Sequence, residues 1–445
     1  VGNTGEEAAA VSETFGEAVR RWRATRGDMS LRELARRAHV DPGHLSRVET
    51  GRRPPAPTIA AALDLALDAG GDLVARARPA GSVRWSRDGT WRRPDSEALA
   101  GMLLAEAPTA ENAVRLAHEW LITDPPQVYE ARAGRRIGDA TVERVERRVH
   151  QLRLLDDHVG GVKTHEIVTA ELAATAALLR EGSYTERVGR RLLVAVGELC
   201  QLAGYVATDA GRYAEAERRY LAGMRAAQAG GDVAGAANNL STLAYQEANV
   251  GDPRRAVTLA RSAYCGARHA ASATTRALLL ERVAWTHARA AEAEPAVRAL
   301  DAVEEALTRR RPADDPAWVY WLSADETAVM AGRVWTQLRR PLRAVPILER
   351  TTAGYGEETG RETSLYLTWL AESLLQAGEV ERAAEVAMRA AALARRADSV
   401  RAGDRVAALW PLFQPYRGIP AVDQLTEQFR FATPRHSVGG RPPAD

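Results

Sequence analysis

"GYVATDAGRYAEAERRYLAGM", residues 204–224, is followed forty residues later by "AYQEANVGDPRRAVTLARSAY", residues 244–264. Gly211 aligns with Gly251, Ala216 with Ala256 and then Ala296, and Gly223 with Ala263 and Val303; Cys200, Leu240 and Leu280 keep the same step. Further copies centre on Ala344 in "RRPLRAVPILE" and on Ala383 in "GEVERAAEVAMRAA". Small residues at fixed places let two helices cross closely, and large apolar ones fill the layer between units. Such a period predicts stacked helix pairs, an α-solenoid. Composition agrees: Ala, Leu, Arg and Glu dominate and aromatic residues make up only 6%, so strand-forming runs are scarce.

The N-terminal stretch has a different pattern. A helix is expected from near Thr14, with Phe15, Val19 and Trp22 on one face. A second opens at "SLRELARRA", where Ser30 and Glu33 have capping-box spacing and Leu31, Leu34, Ala35 and Ala38 make the apolar stripe. After a short turn at His39 and Val40, Asp41 caps a third helix whose first turn accommodates Pro42, because no amide bond is lost there. Leu45 and Val48 face inward, "GRRPPAP" ends the helix, and Thr58 caps a fourth carrying Ile59, Leu63 and Leu67. The net charge of +2 hides a local excess, for Ala18 to Pro55 carries ten Arg against Asp28, Glu33, Asp41 and Glu49. That is the footprint of a nucleic-acid-binding surface.

Two resemblances follow. "SLRELARRAHVDPGHLSRVETGRRPP", residues 30–55, resembles the Xre/Cro-type helix-turn-helix, whose signature is "LA", a turn, "LSRVE" and a following Gly. The repeats resemble tetratricopeptide repeats at Gly204, Gly211, Tyr213 and Ala216, although the period is forty rather than thirty-four and no regular Pro closes each copy. Together they look like bacterial regulators that join an Xre-type domain to a tetratricopeptide sensor, including the peptide-pheromone receptors of quorum sensing and their actinobacterial relatives. The expected architecture is all-α: a helix-turn-helix domain over 13–72, a linker or β-hairpin over 73–95 with Asp88-Gly89 at its turn, a helical repeat domain for sensing and dimerisation over 96–432, and a disordered tail over 433–445. Residues 1–12 read as a disordered lead.

The DNA-binding set follows from helix geometry. Ser30, Arg32 and Arg36 occupy the start and polar face of the second helix, where phosphate contacts belong. Gly43, His44 and Arg47 lie on the outward side of the third, with Arg52 and Arg53 just beyond it, and the resemblance adds Ser46 to the set. Arg47 can bond guanine bidentately, His44 can donate to an acceptor edge, and Pro42 and Gly43 allow close approach. The resemblance makes Ser46 and Glu49 signature positions, with Glu49 orienting an Arg of the same domain; Leu31 replaces the Gln common there in the family.

The resemblance also implies that the first helix of each repeat lines a groove. In "NNLSTLAYQEAN" Leu240, Leu243 and Ala244 form the packing face, whereas Asn238, Ser241, Thr242, Tyr245 and Asn249 share the other. Corresponding columns hold Glu198, Gln201, Tyr205 and Asp209 in the preceding repeat and Glu281, Trp285 and Arg289 in the following one. Tyr205, Tyr245 and Trp285 are either core between repeats or a ligand surface for a peptide or a small hydrophobic signal. On the ligand reading, Gln201, Tyr205, Asn238, Thr242, Tyr245, Asn249, Glu281, Trp285 and Arg289 bind it.

Other classes find little support. "GGVKT" at Lys163 lacks the upstream Gly of a phosphate loop, His165-Glu166 lacks a second His, and no Ser, His and acid set stands out, so neither enzyme nor cofactor nor metal is expected. Cys200 and Cys265 lie far apart and read as buried thiols in a reducing compartment. No apolar run reaches membrane-spanning length, and Glu6, Glu7 and Glu13 do not suit a signal peptide, so a cytoplasmic protein is expected; the small footprint of one such domain and the family habit of binding two half-sites imply a homodimer on operator DNA. The rival from another class is a protein-interaction scaffold with little DNA binding.

Overall fold

The computed structural model describes residues 14–69 except 28, 52, 54 and 56, residues 72–73, and residues 90–432 except 105–109, 123–127, 131–133, 160, 355–359 and 398–399. The chain divides into two compact units, Val1–Val83 and Arg84–Asp445.

The described residues of the first unit include the short helices α1 (Phe15–Thr25), α2 (Leu31–Arg37), α3 (Pro42–Glu49) and α4 (Pro57–Leu67). Each contributes to one core in which Val19, Leu34, Leu45 and Leu63 are fully buried. Thr14 and Glu17 close a complete capping box on α1. On α2 only half of the expected box forms: Ser30 accepts from the Glu33 amide, but the Glu33 carboxylate turns to Arg36 and Arg37 instead. Two guanidiniums outcompete one backbone amide for it. Asp41 caps α3 as expected, accepting from the His44 amide at 2.7 Å, with Pro42 in the first turn. The fourth helix begins at Pro57, one residue before the cap expected at Thr58.

The second unit opens with a short strand β1 (Thr90–Arg92) and helices α5 (Arg93–Leu104) and α6 (Ala110–Ile122). Strand β1 pairs in parallel with β2 (Val128–Glu130), and β3 (Arg135–Arg136) with β4 (Gly182–Ser183). Residues 90–95 are therefore strand and helix rather than linker, and β1 has a partner from beyond α6, not a hairpin neighbour; the Asp88-Gly89 turn itself lies outside the described residues, as do the expected lead and tail.

From α7 (Asp139–Val159) and α8 (Gly161–Glu181) onward the helices pair: α9 (Glu186–Asp209) with α10 (Tyr213–Gly230), α11 (Val233–Val250) with α12 (Pro253–Ala267), α13 (Ala273–Arg289) with α14 (Ala293–Leu307), α15 (Ala324–Gln337) with α16 (Pro341–Thr352), and α17 (Gly360–Gln376) with α18 (Val380–Ala397). Helices α19 (Val400–Phe413) and α20 (Pro420–Ala432) follow. The first helices also pack on one another in succession, α9 on α11, α11 on α13, α13 on α15, α15 on α17 and α17 on α19, and so form a continuous inner layer. The architecture is all-α, a helix-turn-helix unit and an α-solenoid.

The repeated small residues do what the period predicts. A Cβ at Gly204 would stand 2.5 Å from the Tyr220 ring and one at Gly223 2.7 Å from the Cys200 Cβ, so both crossings require glycine. Ala216, Ala256, Ala296, Ala344 and Ala383 are fully buried. The turn inside four of the pairs takes a left-handed residue, at Gly211, Ala291, Arg339 and Gly378, whereas Gly251 between α11 and α12 has φ -124°. Ala291 and Arg339 hold that conformation at a cost of about 1 to 2 kcal/mol that glycine avoids.

Two sequence expectations need correction. Cys200 is buried, but Cys265 is exposed on α12. Helix α9 is long and apolar enough to cross a membrane by length and composition; 78% of its apolar window is buried inside the unit, the pattern of a core helix.

Candidate DNA-contacting face and the inner face of the array

Helices α2 and α3 meet at a turn in which His39 adopts φ 53° and the Val40 amide donates to Ala35 O at 2.9 Å. Helix α1 braces them. Gly16 packs so closely on α3 that a Cβ there would fall on the carbonyl oxygen of Glu49. The Glu49 carboxylate, 6% exposed, accepts from Arg23 Nη1 at 2.6 Å, and its carbonyl accepts from Arg20 Nη1 at 3.0 Å. Arg23 also donates to Met29 O just before α2, at 2.7 Å. Glu49 thus fixes an arginine within the domain, as its signature position implied. Arg26 reaches Leu67 O and Asp68 O and ties α1 to the end of α4.

This frame leaves one side of α3 open. Pro42, Gly43, Ser46 and Arg47 are exposed, and among the described residues Arg47 is bonded through its carbonyl, not its guanidinium. His44 is half-buried, and its Nε2 is shielded with no partner, so it does not project as freely as the sequence implied. Arg53 is exposed beyond the helix end, and Arg52 lies outside the described residues. On α2, Ser30 and Arg32 are exposed; Arg36 is exposed too but shares Glu33 with Arg37, a residue the sequence reading missed. These two guanidiniums hold the Glu33 carboxyl below its usual range. Such exposed pairs are screened by solvent and add little stability, so exchange of Glu33 for a phosphate costs little.

The inner face of the array is more crowded than an open groove. Among the expected ligand residues only Asn249 is exposed. Asn238 and Thr242 are buried, and the Thr242 hydroxyl donates to Asn238 O of its own helix. Gln201, half-buried, accepts from Arg153 of α7 at 2.8 Å. Trp285 is 1% exposed and donates from Nε1 to Asn249 Oδ1 at 3.1 Å. Its ring lies 6.4 Å from Tyr245 and, edge-on, 5.3 Å from Trp369. The aromatic contact series is therefore Tyr245, Trp285 and Trp369, while Tyr205 sits beneath the Arg401 guanidinium. Arg289 donates to Ala248 O and to Gln337 Oε1. Glu281 is 1% exposed; burial, which outweighs the pull of Arg282, pushes its carboxyl up to about 8.

Arg282, Arg333, Trp369, Arg401 and Arg405 escaped the sequence reading, but a signal for Arg333 was present. Counting six residues back from the turn positions 211, 251, 291, 339 and 378 gives Tyr205, Tyr245, Trp285, Arg333 and Glu372 as one column. The segment between α14 and α15 adds two short 3-10 turns, Pro312–Asp314 and Ala317–Val319, and breaks the forty-residue step just before Arg333.

A family model described as a helix-turn-helix domain matches residues 14–77. No curated protein matches the chain. With the geometry of α1 to α4, that match places the N-terminal unit in the class of helix-turn-helix DNA-binding domains, followed here by a helical repeat array.

Proposed function

We propose that the protein is a sequence-specific transcriptional regulator whose repeat array binds a signal and alters DNA affinity. The observation that carries this reading is the bracing of α3 by Glu49, Arg23 and Gly16 while Arg47 stands exposed and unpaired on its outer side. A recognition helix needs that combination, a rigid seat and a free fork of donors. Arg47, Ser46 and Gly43 face the bases, with His44 swinging outward on docking. Ser30, Arg32, Arg36, Arg53 and Arg52 hold phosphates.

Electrophoretic shift and fluorescence anisotropy against genomic fragments around the gene test this. Arg47→Ala is expected to cost roughly 1 to 3 kcal/mol on the operator and to relax preference at one base pair, whereas Arg32→Ala weakens operator and random DNA alike. Equal losses on both DNAs for both variants would remove Arg47 from base reading. Absence of any operator preference in the unaltered protein would leave the scaffold reading.

The signal is a peptide in this proposal, and the regulator is a cytoplasmic homodimer on two half-sites, with the array as the dimer surface. A peptide backbone would exchange with partners that the side-chain amides here already hold, since Gln201 accepts from Arg153 while Asn249 accepts from Trp285 and donates to Tyr245 O. A small hydrophobic molecule is a poorer fit, since Trp285 is covered and guanidiniums surround Tyr245. Light scattering at micromolar protein should give the mass of two chains plus one operator; the mass of one chain plus operator would contradict the dimer.

A further inference from the structure

Five arginines converge on the inner layer of the array, and their counter-charges do not match. Arg401 of α19 pairs with Asp209 of α9 at 3.2 Å, and Arg405 pairs with Glu372 of α17. Among the described residues Arg282, Arg289 and Arg333 contact aromatic rings, a carbonyl, an amide, a thioether and a phenol, with no carboxylate within ion-pair distance. Arg333, 9% exposed, donates to the Tyr245 hydroxyl at 2.7 Å and stands 4.7 Å from the Trp285 ring and 5.1 Å from that of Trp369. The Arg282 guanidinium also stacks on Tyr245, 4.4 Å from the ring centroid. The Nε atoms of Arg282 and Arg333 are shielded from solvent and have no acceptor.

Glu281, the acid nearest in sequence, does not fill the gap, because burial keeps its carboxyl protonated at neutral pH. Two further consequences show the positive field. Although burial disfavours the Tyr245 phenolate, Arg333, Arg401 and Arg282 outweigh it and bring the phenol down to about 8. Burial, then the neighbouring Arg333 and Arg289, lower Arg405 despite its partner Glu372. Like charges gathered in a partly desolvated place are costly unless an anion joins them. Guanidiniums already laid on aromatic faces lose little freedom when an oxyanion arrives.

We propose that the inner face at Arg282, Arg289 and Arg333 binds a ligand carrying clustered carboxylates, with Tyr245, Trp285 and Trp369 as the walls that orient the guanidiniums. Two sources share that chemistry: an acidic peptide lying along the layer, and a free organic polyacid. The inference rests on the sensor reading for its biological purpose but not for its chemistry.

The probes are tetraglutamate and citrate, with tetraglutamine as the uncharged control, in isothermal titrations on the 445-residue chain. Since the N-terminal unit is basic, an Arg32→Ala, Arg47→Ala double variant serves as the background in which anion binding there is weakened. In that background at least one acidic probe binds, tetraglutamine does not, and affinity falls about tenfold or more in Arg333→Met and in Arg289→Gln, with helicity unchanged by circular dichroism. Tetraglutamate binding above citrate identifies the peptide source, and the reverse order the free acid. A second readout places the anion: bound probe suppresses phenolate absorbance near pH 9, and Tyr245→Phe removes that change. Equal affinity for acidic and neutral probes, or acidic binding that Arg333→Met and Arg289→Gln leave intact in folded protein, overturns the site. Anion binding at the array that leaves operator affinity unchanged keeps the site and removes the coupling proposed above.

Discussion

Gly16→Ala is expected to abolish operator binding while leaving the repeat array folded. The methyl group would be driven into the carbonyl oxygen of Glu49, a backbone atom that cannot swing aside as a side-chain tip can. Relief requires α1 to back away from α3, and that separation also pulls Arg23 from the Glu49 carboxylate and Arg20 from the Glu49 carbonyl. Overpacking together with loss of a buried charged hydrogen bond costs roughly 2 to 4 kcal/mol. A unit this small has little more stability than that to lose. Amide hydrogen exchange in α1 and α3 measures the effect, with Gly101→Ala as the control, since a Cβ at Gly101 meets nothing within 4 Å. Protection factors in α3 equal to those of the unaltered protein would show that the helices can part without cost.

Glu281→Gln should flatten the pH dependence of the array's stability. The folded-state carboxyl titrates near 8, raised from its ordinary value of 4.5 by burial first, with Arg282 and Arg333 opposing and Glu326 reinforcing the shift. A raised folded value means that the folded state holds the proton more tightly than the unfolded chain. The stabilisation is therefore complete below about pH 4.5 and is lost progressively as pH rises toward 8. At about 1.4 kcal/mol for each unit of pKa, that loss amounts to roughly 4 to 5 kcal/mol. Glutamine keeps the shape and cannot ionise, so urea midpoints of Glu281→Gln between about pH 5 and pH 8.5 should fall much less than those of the unaltered chain. Glu217, also raised by burial, to about 7, remains in both proteins and leaves a residual slope. Parallel curves would mean that Glu281 ionises freely within the fold.

The two halves of the chain differed in how much of their chemistry could be read from residues alone. In the N-terminal unit the site is local: Asp41, Pro42, Leu45 and Val48 fix which side of α3 is buried, and the opposite side follows from the helical repeat. Arg47 could be placed for that reason. His44 could not, because its ring turns into a shielded position that spacing does not encode. Likewise Glu33 has the correct spacing for a capping box, and its choice of Arg36 and Arg37 depends on rotamers.

In the array, the forty-residue step determined the helix pairs, the buried alanine column and the shared face of Tyr205, Tyr245 and Trp285, because each depends on neighbours within one repeat or the next. The composition of the inner face was settled by tertiary structure. Arg401 of α19 meets Tyr205 and Asp209 of α9, and Trp369 of α17 meets Trp285 of α13, only because successive first helices wind past one another through space. Whether Trp285 is a wall or a filler, and whether Glu281 carries charge, depends on what covers it. Burial and pairing across repeats arise from the curvature of the stack, a sum of small rotations that no single repeat specifies.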